Sequence, residues 1–71
     1  MRMSCADKVL CLLYTRDNQT DTALRNSVEY KNLTEFKRIL KRLHAKRLIE
    51  YAAPNCTLSP LGIQRAEEIL K

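Results

Sequence analysis

The longest regular pattern of apolar positions in the chain lies between Asn32 and Tyr51. Its apolar residues recur at spacings of three and four, at Phe36, Ile39, Leu40 and Leu43. This spacing places them on one side of an α-helix, and it predicts a helix at about residues 33–46 with one buried face. Asn32 is a good N-cap residue and Glu35 follows three positions later, which predicts a capping box at the helix start.

Shorter patterns on both sides predict three more helices and a β-hairpin. Ser4, Thr20 or Asp21, and Ser59 followed by Pro60 are suitable helix starts, while Ala53-Pro54-Asn55 separates two short apolar stretches. The predicted elements are a helix at 5–14, a polar turn at 15–19, a short helix at 22–27, the long helix at 33–46, a two-stranded hairpin at 48–58 and a helix at 60–70. The chain therefore reads as a mainly α-helical α+β fold.

The first and last helices carry the remaining apolar positions. The residues that we expect to be buried are Ala6, Val9, Leu10 and Leu13 in the first helix and Ile63, Ala66, Ile69 and Leu70 in the last. Because the run from Val9 to Tyr14 is apolar throughout, Leu12 or Tyr14 is left partly uncovered. Either another helix of the same chain covers these side chains or they form the contact between two copies of the protein.

The side of the long helix that faces away from the apolar residues is basic. Lys37, Arg38 and Lys41 lie there beside Thr34 and Ala45, with Arg42 at the edge of the same face. Lys46 and Arg47 follow, and no carboxylate lies between positions 37 and 47. Cations three and four residues apart on a helix repel one another, and an anionic partner would relieve this repulsion. The face is therefore typical of a helix that binds such a partner. A solvated surface remains the alternative.

Length and composition limit the class of protein. A chain of 71 residues with one glycine and two prolines is expected to form a single ordered domain over residues 1–71. The net charge of +5 favours nucleic acid or anionic lipid as a partner. No apolar run is long enough to cross a membrane and the N-terminus lacks a signal-peptide pattern. We therefore expect a cytoplasmic protein that is not bound to a membrane.

Few residues in the chain are suited to catalysis or metal binding. Cys5, Cys11 and Cys56 have no Cys-x-x-Cys spacing, and a zinc site would require all of them to meet His44. Reduced thiols that pack as small apolar groups are the simpler interpretation. His44 is expected to pack or to face a phosphate. No glycine-rich phosphate loop or nucleophile with a base is present, so we expect no cofactor, no metal ion and no enzymatic activity.

The order of the predicted elements is similar to that of the winged helix-turn-helix domain. Residues 20–51 resemble the core of MarR, PadR and ArsR type regulators of bacteria and archaea, with Thr20 and Leu24 at the start of their second helix. Leu58-Ser59-Pro60-Leu61-Gly62 resembles the L-T-P-x-G that follows their wing. The resemblance covers residues 7–70 and implies a three-helix core, a two-stranded wing and a C-terminal helix. Such domains commonly have glycine where Arg47 stands, and a left-handed turn there would cost about 1 kcal/mol.

The resemblance implies a sequence-specific double-stranded DNA-binding protein, a small transcriptional regulator associated with the nucleoid. Its third helix would enter the major groove, and its hairpin would lie against the adjacent backbone. The residues that would contact DNA are Lys31, Asn32, Leu33, Thr34, Lys37, Arg38, Lys41 and Arg42, together with Asn55 in the hairpin. The hairpin tip at residues 52–55 has no cation, so its contact with DNA is expected to be weak. Glu35 either caps Asn32 or binds the amino group of a cytosine.

Two further expectations concern protein partners. A single domain recognises only a short site, so we expect a homodimer formed through the N- and C-terminal helices, with Leu12 and Tyr14 in the contact. The alternative function is a winged-helix adaptor that binds other proteins in a replication, partition or transcription assembly. The outward face of the third helix distinguishes the two functions, because adaptors tend to present apolar or mixed residues there.

Overall fold

Four helices and a three-stranded antiparallel sheet make up residues 3–71, the part of the chain that the computed structural model describes. In chain order they are α1 (Cys5–Thr15), β1 (Gln19–Thr20), α2 (Asp21–Val28), α3 (Leu33–Ala45), β2 (Ile49–Ala52), β3 (Asn55–Leu58) and α4 (Pro60–Leu70). The predicted α+β class and all four predicted helices are confirmed. Met1 and Arg2, which belong to the predicted domain, lie outside the described residues.

Each helix begins at a residue whose side-chain oxygen accepts a hydrogen bond from the backbone N–H three positions later. The donor and acceptor atoms are 3.0 to 3.1 Å apart at all four starts. The N-caps are Ser4, Thr20, Asn32 and Ser59. Because such a cap satisfies a backbone donor that the helix itself cannot, the helix starts were predictable from sequence.

The ends of α2 and α3 share one geometry. Glu29 and Arg47 adopt left-handed backbone conformations, with φ of 60° and 62°. After α3, the N–H of Leu48 donates to the carbonyl of Leu43 at 3.0 Å, which is the Schellman arrangement. Arg47 thus adopts the left-handed turn for which similar domains commonly use glycine, at a cost of about 1 kcal/mol because it has a side chain.

The sheet contains a strand that the sequence analysis assigned to a turn. β1 pairs with β3, which lies between β1 and β2, so the predicted two-stranded hairpin is the larger part of a three-stranded sheet. The register places Gln19 opposite Cys56 and Ile49 opposite Leu58. Two polar residues give no alternating pattern, so β1 could not be recognised locally. It forms because the open edge of β3 offers backbone partners.

One hydrophobic core unites the helices with the two longer strands. Its members are Val9, Leu10, Leu13, Leu24, Phe36, Leu40, Leu43, Leu48, Ile49, Cys56 and Ala66. The predicted buried face of α3 is confirmed, with Ile39 only partly buried. Leu12 and Ala6 are partly buried against the core, whereas Tyr14 is 42% exposed. Cover from the same chain therefore accounts for Leu12.

The prediction for α4 was right for two of its four apolar residues. Ala66 is buried and Ile69 packs partly buried against the core, whereas Ile63 and Leu70, also expected to be buried, are 41% and 53% exposed. Gly62 is buried as well, and a Cβ atom at position 62 would overlap the carbonyl oxygen of Leu48. The helix thus approaches the backbone so closely that only small residues fit between them, and this close approach determines which side of α4 faces inward.

A buried hydrogen bond ties the hairpin to α2. Asp21 is 3% exposed, and its carboxylate accepts a hydrogen bond of 2.7 Å from the Tyr51 hydroxyl. Its backbone N–H donates to the carbonyl oxygen of Pro54 at 2.7 Å. Burial, together with the neighbouring Asp21, raises the pKa of Tyr51 well above its ordinary value. The hairpin is therefore fixed in its place beside the helices.

Candidate nucleic-acid interface

The outward face of α3 carries the predicted basic residues. Thr34, Arg38, Lys41 and Arg42 are exposed, and Lys37 is partly buried at the margin of the same face. The structure thus brings six of the nine predicted DNA-contacting residues together on α3, and all of these but Leu33 lie on its outward face or at the margin of that face. At about 100° per residue, Thr34, Arg38 and Lys41 point directly away from the buried Phe36 and Leu40.

The cations of this face have no acidic partners within the described part of the chain. Among residues 3–71, the ion pair found within 4.0 Å is His44 with Glu50, at 3.9 Å. Lys37 and Lys41, and likewise Arg38 and Arg42, are four residues apart on the helix and repel each other by a few tenths of a kcal/mol. The face therefore has a positive potential that no ion pair within 4.0 Å neutralises.

The residues at the start of α3 differ in how much they can offer a ligand. Lys31 is exposed and Leu33 is partly buried. The side-chain oxygen of Asn32 accepts the N–H of Glu35 at 3.1 Å, so only the amide N–H groups of Asn32 are left for a partner. Lys31 and Asn32 are thus suited to donate to an anion, while Leu33 can offer only an apolar contact.

The predicted capping box is only half formed. The Asn32 side chain caps the helix, but the Glu35 carboxylate does not return to the Asn32 N–H. Instead it accepts a hydrogen bond of 3.5 Å from the Tyr30 hydroxyl. The Tyr30 ring packs at a tilt against Phe36, with 5.7 Å between ring centroids. The predicted capping role of the Glu35 carboxylate was therefore wrong, and this acidic group remains exposed beside the basic face.

The hairpin contrasts with α3 in its charge. Residues 48–61 contain no lysine or arginine, and Glu50 is the charged residue among them. Asn55, the remaining predicted contact, begins β3 and is exposed, with Thr20 and Ala52 opposite it in the sheet. Asn55 therefore belongs to a neutral surface, separate from the cations of α3.

The structure adds one cation that the predicted site omitted. Arg42 and Lys46 line a cleft of about 270 Å³ together with Ser4, Cys5 and Ala6 at the start of α1. Lys46 follows Arg42 by four residues, so the helical spacing could have indicated it. The basic surface of α3 thus extends to its C-terminal end and the beginning of α1.

His44 lies on the other side of the α3 C-terminus and turns towards β2. Its Nδ1 atom is 3.1 Å from the carbonyl oxygen of Ile49 and 3.3 Å from the backbone nitrogen of Tyr51. These contacts join the end of α3 to the first strand of the hairpin. Of the two expectations for His44, the packing role is the one that its contacts support.

The cysteines are placed for packing rather than for chemistry. Cys11 and Cys56 are buried and Cys5 is partly buried. Burial raises the pKa of all three thiols, and that of Cys56 reaches about 11. They are therefore protonated and weakly nucleophilic at neutral pH. Within residues 3–71, no group of three or more His, Cys, Asp or Glu side chains is arranged to hold a metal ion.

The remaining observations concern membranes and relatives. None of the helices in the described residues has both the length and the apolar character needed to cross a lipid bilayer. No protein-family model, curated protein or solved structure matches the chain. A functional assignment must therefore come from the arrangement of elements and from the charge of their surfaces.

Proposed function

We propose that this chain is a winged helix-turn-helix protein that binds double-stranded DNA and acts as a small transcriptional regulator. In this proposal α2 and α3 form the helix-turn-helix, α3 enters the major groove, and β2 and β3 form the wing. The observation that carries the proposal is the outward face of α3, where exposed cations have no acidic partner among the described residues.

The order of elements supports the choice of fold. A short helix is followed by a turn, a longer helix and an antiparallel hairpin, with a further helix at each end. The 13 residues of α3 span about 20 Å, and an α-helix of ordinary diameter fits the major groove of B-DNA. Because the apolar side of α3 is buried in the core, its basic side is the one presented to a partner.

The nature of the cations indicates how they would act on a duplex. Arg38 and Lys41 are exposed at the centre of the face and can reach guanine or phosphate groups. Lys37 and Arg42 flank them and are suited to phosphates. Neutralising four phosphates releases counterions, so affinity should fall with salt at a logarithmic slope of about −3.6.

A homodimer would extend recognition to two half-sites. The surface where α1 packs against α4 exposes Tyr14, Ile63 and Leu70, and the Tyr14 hydroxyl donates to Glu67 at 3.1 Å. We propose this surface, rather than Leu12, as the contact between copies. Two domains would together bind a longer and more specific site than one domain can.

A protein-binding adaptor is the second candidate function. It is favoured by the absence of cations from the hairpin and by the exposed side chains of Leu61, Ile63 and Leu70, which a partner protein could cover. DNA binding is the stronger candidate because the outward face of α3 is cationic instead of apolar or mixed.

A fluorescence-anisotropy titration of random-sequence duplex DNA tests the main proposal. The wild-type protein is titrated at about 50 and 200 mM salt, beside a variant in which Lys37, Arg38 and Lys41 are all alanine. We expect the variant to lose at least about a hundredfold in affinity at the lower salt and its slope to become shallower by about 2.7.

A matched control variant distinguishes the contribution of the α3 face to affinity from that of the protein's net charge. In the control variant, the exposed cations Lys8, Arg65 and Lys71 on and beside α1 and α4 are replaced by alanine. It loses the same total charge, yet we expect its affinity to fall far less. If both triple variants weaken equally, the binding is diffuse and α3 has no special role. If the wild type binds no duplex at the lower salt, the adaptor function is favoured.

A further inference from the structure

The outward side of α3 includes one residue of the wrong charge for DNA binding. Glu35 is the acidic residue of this helix, and its side chain is exposed. The role that the sequence suggested for its carboxylate, closing a capping box, is absent. Among residues 3–71, no lysine or arginine nitrogen lies within 4.0 Å of it. A carboxylate without a lysine or arginine partner within 4.0 Å is thus retained one turn before Arg38, and the other role that the sequence offered, contact with a cytosine, is left to explain it.

The position of Glu35 on the helix places it close to any ligand of the basic face. Glu35 follows Thr34 directly and precedes Arg38 by one turn, on the same side as Arg42. It belongs to the first turn of α3, and in a helix-turn-helix complex the N-terminal residues of the recognition helix contact base edges. A carboxylate there meets either a base edge or a phosphate.

Contact of the carboxylate with a phosphate is unfavourable, whereas contact with a suitable base edge is favourable. A carboxylate beside a phosphate is repelled, and neither group can donate a hydrogen bond to the other. In the major groove, a cytosine instead presents its N4 amino group, which donates to a carboxylate. Glu35 would therefore weaken binding at most positions along a duplex and support it where a cytosine is correctly placed.

We propose that Glu35 is a specificity-determining residue that selects cytosine in the DNA site. This inference rests on the proposed function, because it assumes that α3 enters the major groove. The Glu35 carboxylate accepts a hydrogen bond from the cytosine N4 amino group, and it disfavours sites that offer no donor at that place. The cations of the face supply affinity for any duplex, and Glu35 makes part of that affinity depend on sequence.

Tyr30 is placed to hold the carboxylate in one orientation. Its ring packs against Phe36 in the core, and its hydroxyl reaches the Glu35 carboxylate at 3.5 Å. The ring is partly buried and packed against Phe36, which limits the positions that the hydroxyl can take. A carboxylate that is already oriented loses less conformational entropy on binding a base.

Selection from a random duplex library, followed by sequencing of the bound fraction, tests the inference. Wild type is compared with Glu35→Ala, and Glu68→Ala is the control because it removes the same charge from exposed α4. We expect a cytosine-rich position in the wild-type site that Glu35→Ala loses and Glu68→Ala keeps. A single substitution of that cytosine should weaken wild-type binding about tenfold and leave Glu35→Ala nearly unaffected.

Affinity for the unselected library provides a second measurement. Glu35→Ala should bind it about threefold to tenfold more tightly than wild type, because one repulsive charge has been removed from the contact. The inference is overturned if the wild-type site has no cytosine position or if Glu35→Ala retains it. Those results leave DNA binding intact, whereas failure of wild type to bind any duplex would overturn the proposed function as well.

Discussion

The outward face of α3 and the hairpin of β2 and β3 are neighbours in the chain, yet they differ in charge and in their contacts with the rest of the molecule. The α3 face carries Arg38, Lys41 and Arg42 as exposed cations without acidic partners in the described residues. The hairpin has no cation, and it is fixed to the rest of the molecule through the buried contact between Tyr51 and Asp21. The α3 face therefore concentrates positive charge, whereas the hairpin makes contacts that hold the fold together.

This difference separates binding from stability. Side chains of the α3 face contribute little to folding, since an exposed cation among other cations has no stabilising contact to lose. Hairpin residues contribute to folding but, because none of them is a cation, have little to offer a phosphate. We therefore expect mutations in the two regions to have different consequences, and the predictions below test that expectation.

The largest expected effect is on stability, at the place where α4 supports the hairpin. In Gly62→Ala the added methyl group would overlap the Leu48 carbonyl and press on the Leu58 side chain, which lie together at the base of the hairpin. We expect a loss of about 3 kcal/mol or more in the free energy of unfolding, measured by urea denaturation. Lys41→Ala on the α3 face should change it by less than about 0.5 kcal/mol. If Gly62→Ala and Lys41→Ala lose equal amounts of unfolding free energy, the hairpin and the α3 face do not differ in their contribution to stability.

The next effect concerns the buried hydrogen bond of the hairpin. Tyr51→Phe leaves the Asp21 carboxylate buried without this donor, so we expect a loss of about 1 to 3 kcal/mol in the free energy of unfolding. Tyr14→Phe is the control, because its hydroxyl bonds Glu67 at an exposed position and should matter by less than about 0.5 kcal/mol.

The pH dependence of the same variant sharpens this test. The folded protein holds the Tyr51 proton more tightly than the unfolded chain, whose tyrosines have the ordinary pKa of 10.0. The stability from this group is therefore fully present below pH 10.0 and is lost as pH rises above it. Cys56 adds a loss in the same direction between its ordinary 9.0 and about 11. In Tyr51→Phe the free energy of unfolding should still fall with pH because of Cys56, but the larger fall above pH 10.0 should be lost. If the fall above pH 10.0 is unchanged in this variant, Tyr51 is not its source.

The smallest effect comes from giving the hairpin the charge that it lacks. Ala52 is exposed at the end of β2, and Ala52→Arg should raise affinity for random duplex about threefold to tenfold and add about −0.9 to the salt slope. Gln64→Arg places the same charge on exposed α4. If both variants gain equally, the hairpin does not lie along the DNA and the gain reflects net charge alone.

Local patterns predicted most of the secondary structure. Helix starts at Ser4, Asn32 and Ser59 were recognisable because each capping interaction involves residues three positions apart. The buried side of α3 followed from the spacing of Phe36, Leu40 and Leu43, and its basic side followed from the same geometry. The left-handed turn at Arg47 was considered only because similar domains have glycine at that position.

Features that depend on a distant partner were missed. β1 exists because β3 offers an open edge, and its polar sequence gives no local sign of a strand. The sequence pattern placed Ala66 correctly but could not show that Gly62 rather than Ile63 faces inward, since only contact with Leu48 selects the glycine side. The predicted capping pair of Asn32 and Glu35 failed for a nearer reason, because the Tyr30 hydroxyl, five residues before Glu35 and outside α3, is the partner of its carboxylate.

The sequence by itself determined the number and limits of the helices, the hairpin, and the concentration of cations along one side of α3. Those properties depend on residues within a few positions of one another, so the interactions are the same wherever the segment lies. The tertiary structure alone decided the third strand and the inward position of Gly62 rather than Ile63 in α4. Each of these resulted from contact between residues far apart or on different elements, where close packing and available hydrogen-bond partners outweigh local preference.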